Sequence, residues 1–225
     1  MAGTRTKIAS SEIMYRLYWA PDTGALAPQI ILEEVAADYK LVVLDYDAHE
    51  ETEADFLALN PRGQIPALTL PDGTVITESA AMVLHLADTH PEANLLPPLG
   101  SIDRARVYRW LFYAVANIYE SYLRFYYSAR FADEASATAL VKLTAQSNID
   151  EYWDLLEKDM QDNQPKGPYL LGHQYSVIDP YLMMLMGWHE CTETLQKRCP
   201  NLAALFHAVC ERSAVSKIHN QIIPK

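Results

Sequence analysis

A proline directly before a short apolar run limits how the middle of the first half of this chain can fold. Pro66 precedes residues 67–70, which have the composition of a β-strand. Because proline has no N–H to donate to a strand ladder, Pro66 must lie at a sheet edge, in a turn, or after a cis peptide bond. A cis bond would turn the backbone of Ile65 outward and leave its N–H and C=O free to pair with an extended peptide. The sequence therefore predicts a peptide-binding edge here.

The residues that follow Pro66 add a second binding feature. A Pro-Asp-Gly turn at 71–73 and a short strand at 75–77 lead into Glu78 and Ser79, at the start of an apolar helix. Backbone N–H groups and the helix dipole favour a carboxylate at such a start. A small peptide that carries both a carboxylate and an amine would fit the edge and the helix start together.

The chain up to residue 90 has the pattern of an α/β domain. The order of predicted elements is β-α-β-α-β-β-α, with the first two strands parallel because a helix connects them. The elements are a strand at 14–19, a helix at about 25–37, a strand at 41–46, a short helical piece that ends at 60–61, the hairpin, and a helix at 79–89.

Strand signals end at a proline-rich linker. Residues 91–100 hold three prolines and a glycine, and beyond them the periodicity is helical throughout. The predicted domains are 14–90 and an all-helical bundle at 102–225, joined by a linker at 91–101. The predicted helices span 102–131, 135–162, 180–193 and 201–213, and the third is preceded by a capping box in which Asp179 takes the place of glutamate after Ser176.

Composition excludes several classes of partner. The formal charge of -11 and the pI near 5.0 would repel phosphate backbones and anionic lipid, so we expect neither nucleic acid nor a membrane as a partner. The three cysteines (Cys191, Cys199 and Cys210) have no metal-site or redox-motif spacing, which indicates reduced structural thiols and no metal. Residues 1–13 hold no apolar core of signal-peptide length. We therefore expect a cytoplasmic protein with a disordered leader.

These features together resemble the glutathione S-transferase family over about residues 14–215. The resemblance is carried by Gln64-Ile-Pro-Ala-Leu, by Glu78-Ser79, by the proline-rich linker, and by Tyr169-Leu-Leu-Gly before the capping box. Leu26-Ala-Pro28 is most similar to the first helix of bacterial, beta-like members. The resemblance implies a thioredoxin-like N-terminal domain, a helical C-terminal domain, a symmetric homodimer, and glutathione as co-substrate.

The family pattern implies roles for the residues of the binding edge. Ile65, held by Pro66, would pair its main chain with the cysteinyl unit, while Ser79 and Glu78 would hold the carboxylate and the ammonium of the γ-glutamyl unit. Gln64 and His49 are further candidates for contacts to the tripeptide. The alternatives are structural: Glu78 could merely stabilise the helix start, Ser79 could merely cap it, and His49 could be a solvated loop histidine.

The thiol-activating group departs from the beta-like pattern. Those relatives carry a cysteine where this chain has Gly24, followed by Ala25, and neither residue can donate from a side chain. Glutathione sulfur reacts as the thiolate, which a hydroxyl donor and a helix N-terminus can stabilise. Thr23, two residues after Pro21, is the first candidate for that donor. Its alternative role is an ordinary helix N-cap.

A second candidate donor lies on an aromatic stripe of the long helix. Tyr119 stands near the position of a histidine in beta-like relatives, and a phenol there could donate to the sulfur or to the substrate. The predicted pocket for the electrophile is lined by Trp19, Tyr108, Phe112 and Tyr122. Bundle core and dimer contact are the structural alternatives for such a stripe.

The function predicted from these features is a glutathione transferase that presents the thiolate to a small hydrophobic electrophile, in a detoxification role. A glutathione-dependent isomerase is an alternative, although such relatives carry a serine-rich turn that Pro-Asp-Thr-Gly-Ala does not match. The other alternative is a non-catalytic binding module of the same fold, which Gly24 and Ala25 favour.

Overall fold

The structure, a computed structural model, describes residues 14–46, 48–163 and 166–222. The leader predicted at residues 1–13 lies outside the described part of the chain. The first portion is a four-stranded sheet in the order β2-β1-β3-β4, in which β1 and β2 are parallel and the other pairs are antiparallel. The predicted α/β order is confirmed by β1 Tyr15–Trp19, α1 Leu26–Glu34, β2 Tyr39–Val43, α2 Ala54–Leu57, β3 Ala67–Thr69, β4 Val75–Thr77 and α3 Ser79–Thr89.

The central strand β1 shows why this sheet is stable. Leu17 pairs with Leu41 on one side and Leu68 on the other, and its side chain is fully buried. Burial of one leucine contributes about 2 kcal/mol. Because side chains alternate along a strand, Tyr18 points to the opposite face, where its ring lies 5.6 Å from that of Phe56 in α2. Both faces of the sheet are therefore covered.

The second portion is helical, as predicted, but its helices divide differently. Residues 102–131 are not one regular helix: a π-helical segment, Ala114–Tyr119, separates α4 from α5, and α5 ends at Tyr126. Two further helices, α8 and α10, were not predicted. The helices of this portion are α4 Ile102–Tyr113, α5 Glu120–Tyr126, α6 Ala135–Asn163, α7 Ile178–Gly187, α8 Thr192–Arg198, α9 Pro200–Cys210 and α10 Ser213–Ile222.

Helix α7 is the centre of the helical portion. Nine of its ten residues are buried, and it packs against α1, α4 and α9. The predicted capping interaction precedes it: Asp179 Oδ2 accepts the Ser176 N–H at 2.7 Å, and Oδ1 accepts the Leu170 N–H at 2.9 Å. The Ser176 hydroxyl donates to the same carboxyl group, and it accepts no backbone N–H of α7 as the serine of a full capping box would. One buried carboxyl group thus holds the preceding loop against the start of α7.

Three ion pairs among the described residues join the helical portion to the sheet portion, and the most exposed of them is Lys217 with Glu33 at 3.2 Å. Arg104 on α4 is buried and donates to Asp88 on α3 at 2.7 Å. Arg212, just before α10, donates to Glu34 at the end of α1 at 2.8 Å. Because α7 also packs on α1, the two portions hold a fixed arrangement, and the cleft between them has defined walls.

Candidate active site

The strand edge at Pro66 has the geometry that a peptide ligand requires. The Ile65–Pro66 bond is cis. Neither the N–H nor the C=O of Ile65 bonds to another residue within the described ranges. Both groups are therefore available to an extended peptide that lies alongside, as a strand pairs with a sheet edge.

Asn60 holds the loop that leads to this edge. Its side chain is buried, donates from Nδ2 to the carbonyl of Gln64 at 2.6 Å, and accepts the Arg62 N–H at 3.2 Å. Both bonds are local and tie the two ends of the loop together. Gln64 and Ile65 are thereby presented in a fixed position.

The start of α3 lies beside the edge and is open to a ligand. Glu78 has φ 65° and ψ 104°, a conformation that non-glycine residues rarely adopt and that is often associated with function. Its side chain accepts from Arg62 Nη1 at 3.2 Å, and it makes no capping hydrogen bond. Ser79 does not cap the helix either, because its Oγ is hydrogen-bonded to the Tyr181 hydroxyl at 3.0 Å. Neither side chain therefore caps α3, and the first N–H groups of the helix remain for an anion.

Gly24 lies where four segments of the chain converge. A Cβ atom placed on it would lie 2.7 Å from the Tyr119 hydroxyl oxygen, and 3.4 Å from both Pro66 Cδ and Ser79 Oγ. The strand-to-helix turn, the cis proline, the start of α3 and the π-helical segment therefore meet at this glycine. The hydroxyl of Tyr119 occupies the space into which a side chain at residue 24 would extend.

Tyr119 has the properties of a donor held ready for a ligand. It ends the π-helical segment, and its ring meets the Trp188 ring edge-on at 4.9 Å. Its hydroxyl makes no hydrogen bond within the part of the chain that the structure describes. Burial, with the Glu78 carboxylate as a smaller cause, raises the pKa of Tyr119 well above its usual range. The phenol therefore stays protonated near neutral pH and can donate its proton in a hydrogen bond.

Thr23 lines the same cleft, but its hydroxyl is already engaged. Oγ1 donates to the Ala20 carbonyl at 2.7 Å and accepts the Ala25 N–H at 3.4 Å. These bonds close the turn before α1, but Thr23 is not the predicted N-cap, because α1 has Ala25 at its N-cap and no side-chain capping bond. The geometry favours Tyr119 over Thr23 as the donor, since only the Tyr119 hydroxyl has no partner among the described residues.

The main cleft extends from Tyr119 between the two portions of the chain. Its volume is about 620 Å³, and one wall is aromatic. Tyr122 contributes its ring at the base, where its hydroxyl accepts from Trp153 Nε1 at 3.1 Å. The lining residues include Thr23, Gly24, Tyr46, Gln64, Ile65, Tyr119, Tyr122, Tyr126, Tyr127, Arg130, Trp188 and His189.

A second cleft of about 350 Å³ contains the peptide edge and the start of α3. It holds Pro66, Glu78 and Ser79, and it shares Gln64, Ile65, Tyr119 and Leu123 with the main cleft. A ligand bound along Ile65 would thus extend from Ser79 toward the aromatic wall. Tyr119 lies at the junction of the two clefts.

Three predicted site residues line neither cleft, and a fourth lines the second cleft instead of the main one. Trp19 is buried in the core of the sheet portion and lines neither cleft, and Tyr108 is hydrogen-bonded to Arg104 away from both. Phe112 is 64% exposed at the second cleft rather than beside Tyr122. Tyr108 and Phe112 do not share a helix face with Tyr122 because the π-helical segment between them widens the helical turn. The residues before that segment therefore lie on a different face from those after it. His49 is an exposed loop residue 3.7 Å from Glu51 and lines neither cleft.

Several residues of the site were not predicted from the sequence. Tyr181 and Trp188 come from α7 and its end, far along the chain from their partners Ser79 and Tyr119, and no local pattern marks them. Arg62 lies two residues before Gln64, where the motif that carries the family resemblance begins. This closeness to the motif was the sequence signal that could have identified Arg62 as a site residue. The described residues include no group of three or more His, Cys, Asp or Glu side chains placed to hold a metal ion. They also include no helix long and apolar enough to cross a membrane.

Family comparisons agree with this geometry in both portions of the chain. The family profile described as glutathione S-transferase, N-terminal domain, matches residues 25–89, and the profile for the C-terminal domain matches residues 116–218. Glutathione S-transferase GstA of Escherichia coli O157:H7 is 27% identical over 201 residues, which cover 89% of this chain and 94% of that protein.

Solved structures show the same similarity over nearly the whole chain. A glutathione transferase homologue from Sulfitobacter, with bound glutathione, is 27% identical with a TM-score of 0.85, and covers 92% of this chain and 98% of that one. A glutathione transferase from Methylococcus capsulatus strain Bath is 32% identical with a TM-score of 0.77. The match covers 92% of this chain and 97% of the Methylococcus chain.

Proposed function

This chain belongs to the glutathione S-transferase family, and from that premise we propose that it binds glutathione along Ile65 and activates the thiol through Tyr119. The observation that carries the proposal is the convergence at Gly24 of Tyr119, Pro66 and Ser79. An extended tripeptide along the free Ile65 backbone would bring its cysteinyl sulfur to this point. Because the Thr23 hydroxyl is engaged within the turn, the phenol would then be the free side-chain donor to the thiolate.

The remaining contacts of the tripeptide follow from charge. The γ-glutamyl carboxylate lies at the open N-terminus of α3 and Ser79, and the ammonium faces Glu78. Because Arg62 already pairs with Glu78, it orients that carboxylate and can also approach the ligand's own carboxylate. Gln64 is placed for a contact to the next part of the peptide. His49 has no part in this arrangement.

The reaction is attack of the glutathione thiolate on a small hydrophobic electrophile in the main cleft. A new carbon–sulfur bond forms. In a displacement the leaving group departs with its bonding pair, and in an addition the π pair of the polarised double bond moves onto the electron-withdrawing group, which takes a proton from solvent. The thiol proton passes to solvent in both cases. The aromatic wall of Tyr122, Tyr126 and Trp188 supports an apolar or aromatic second substrate. The protein supplies a fixed hydroxyl and backbone contacts, and no covalent enzyme intermediate is required.

The setting of the enzyme is part of the same proposal. Three free cysteines support a reducing, cytoplasmic location, and the transferase reaction on an electrophile supports a detoxification role. A homodimer is supported by the exposed Phe112 beside Ala81 and Leu84 at the second cleft. Size-exclusion chromatography with light scattering measures the assembly directly.

Binding can be tested separately from catalysis. Immobilised glutathione should retain the wild-type protein, and Ser79→Ala should weaken binding in calorimetry about 10- to 150-fold, since a hydrogen bond to a charged group is lost. Ser101→Ala is the matched control, because it removes a serine hydroxyl from the start of α4, away from both clefts. Equal affinity for Ser79→Ala and wild type would contradict the assignment of Ser79. A protein that binds glutathione but turns over no electrophile would instead be the non-catalytic binding module.

A further inference from the structure

The main cleft contains one permanent positive charge among its described lining residues. Arg130 lies at the mouth, in the 3₁₀ turn Ser128–Arg130 that connects α5 to α6. The turn is fixed by backbone bonds from the Arg130 N–H to the Tyr127 carbonyl at 2.8 Å and from the Phe131 N–H to the Ser128 carbonyl at 3.0 Å. The base of the side chain therefore has a defined position.

Arg130 differs from most other arginines of this acidic chain. Seven described arginines pair with a carboxylate: Arg62, Arg104, Arg106, Arg109, Arg124, Arg198 and Arg212. The guanidinium of Arg130 has no carboxylate partner among the residues in the three described ranges. A chain with a formal charge of -11 offers many acidic side chains, so an unpaired guanidinium at a cleft is not explained by a shortage of partners.

The guanidinium has a contact that holds it without using its hydrogen-bond donors. Its carbon atom lies 4.1 Å from the centre of the Tyr127 ring, which is itself part of the cleft wall. A guanidinium stacked on a ring keeps its N–H edge free, and that planar edge matches the two oxygens of a carboxylate. Tyr122, Tyr126 and Trp188 provide further aromatic surface in the same cleft.

Building on the proposed function, we propose that Arg130 forms a carboxylate subsite at the mouth of the main cleft. The cleft accordingly takes ligands that combine an aromatic or apolar body with an anionic carboxylate end. For an acidic aromatic halide, the body packs on the aromatic wall while the carboxylate pairs with Arg130. The thiolate sulfur then bonds to the ring carbon that carries the halogen, and halide leaves with the electron pair.

Two molecules in this reaction could supply the carboxylate. One is the electrophile itself, and the other is the glycine end of glutathione, which would enter the main cleft past the shared residues Gln64 and Ile65. The chemistry at Arg130 is the same in both cases. The electrophile is favoured because Arg130 shares its cleft with the aromatic wall, whereas Glu78 and Ser79 belong to the second cleft.

Two variants test the carboxylate subsite. Arg130→Gln removes the positive charge, and Arg130→Lys keeps the charge but lacks the planar guanidinium group. The electrophile arm compares kcat/KM for a chlorodinitrobenzoate with that for its uncharged amide, which has the same ring and leaving group. The glutathione arm compares, by calorimetry, the affinity for glutathione with that for its glycine ethyl ester. Arg16→Ala is the control, because it removes the same charge from an exposed position in β1 that lines neither cleft.

We expect Arg130→Gln to lower kcat/KM for the benzoate about tenfold, the size of one charge-assisted hydrogen bond, and to leave the amide unchanged. Arg130→Lys should recover part of the loss, and high salt should reduce the wild-type preference. Weaker binding of glutathione with unchanged binding of its ester would place the glycine end at Arg130 instead. Equal losses for acid and amide, or no change in either arm, would overturn the subsite.

These outcomes are separate from failure of the transferase proposal. Wild-type protein that binds glutathione but turns over neither electrophile contradicts the transferase, and the calorimetric arm then decides on Arg130. Wild-type protein that binds neither glutathione nor its ester contradicts both proposals. The Arg16→Ala variant should behave as wild type in each arm.

Discussion

Replacing Tyr119 with phenylalanine removes one oxygen atom from the centre of the proposed site. The ring keeps its edge-on contact with Trp188, which the hydroxyl does not make. Because that hydroxyl has no hydrogen-bond partner in the described structure, its removal leaves no buried group unpaired. The free energy of unfolding should therefore change by less than about 1 kcal/mol.

The effect on the bound thiolate should be larger. A hydrogen bond to a charged group is worth about 1.5–3 kcal/mol, and one pKa unit corresponds to about 1.4 kcal/mol. Tyr119→Phe should thus raise the pKa of bound glutathione by about 1–2 units. Below that pKa the thiolate fraction, and with it kcat/KM, should fall about 10- to 150-fold.

The assay is the pH dependence of kcat/KM with a neutral chlorodinitrobenzene, together with thiolate absorbance in the binary complex. Activity should be lost as pH falls through the thiol pKa, and in Tyr119→Phe this loss should begin at a higher pH. Tyr119 itself should add no second ionisation in the neutral range, because burial raises the pKa of Tyr119 well above it.

Thr23→Ala is the comparison that can refute this assignment. It removes the bonds to Ala20 and Ala25, so stability should fall by about 0.5–2 kcal/mol, as for a lost helix cap. Its kcat/KM should stay within about threefold of wild type, since its hydroxyl is engaged in the turn. A raised thiol pKa in Thr23→Ala with none in Tyr119→Phe would show that the threonine is the donor after all.

Two further predictions concern positions where the structure leaves little freedom. Gly24→Ala should lower activity more than glutathione binding, because the new Cβ would lie 2.7 Å from the Tyr119 oxygen. The free energy of unfolding of Gly24→Ala, measured in urea, should rise when Tyr119→Phe is added to the same protein. No such rise would contradict the close contact between the new Cβ and the Tyr119 oxygen. Asp179→Ala should cost about 2–5 kcal/mol, because it leaves buried N–H groups unpaired. Burial raises the pKa of Asp179 to about 7 in the folded protein, against about 3.9 in the unfolded chain. The contribution of the protonated carboxyl group to folding stability is therefore full below pH ~4 and is lost as pH rises through about 7. The Asp179→Ala cost should therefore be larger at pH 5 than at pH 8, and the reverse order would contradict this direction of shift.

The parts of the site that sequence reasoning found are those formed by neighbours in the chain. Pro66, Ile65 and Ser79 fall within one stretch, and each has local chemistry that constrains it: a missing N–H, an exposed edge and a helix start. The β-α-β order was predictable for the same reason, because periodicity and turn residues act over a few positions.

The parts that sequence reasoning missed depend on geometry between distant segments. The stripe from Tyr108 to Tyr126 was assigned to one face on the assumption of regular α-helical spacing, and the π-helical segment changes that phase. Thr23 was placed first because its position in the turn was visible, whereas its bond to Ala20 was not. The closeness of Tyr119 to Gly24 is a consequence of how α7 and α1 pack, which no local pattern encodes.

The absence of a side chain at Gly24 has a mechanical consequence for the enzyme. A donor on residue 24 would belong to the same domain as the cis proline and the start of α3, so its position would not depend on the helical portion. Tyr119 belongs to the helical portion, and its distance from the bound sulfur is set by the contacts between the portions, including the Arg104–Asp88 pair. In the proposed arrangement the backbone contacts to glutathione therefore come from the sheet portion, whereas the side-chain donor to its sulfur comes from the helical portion.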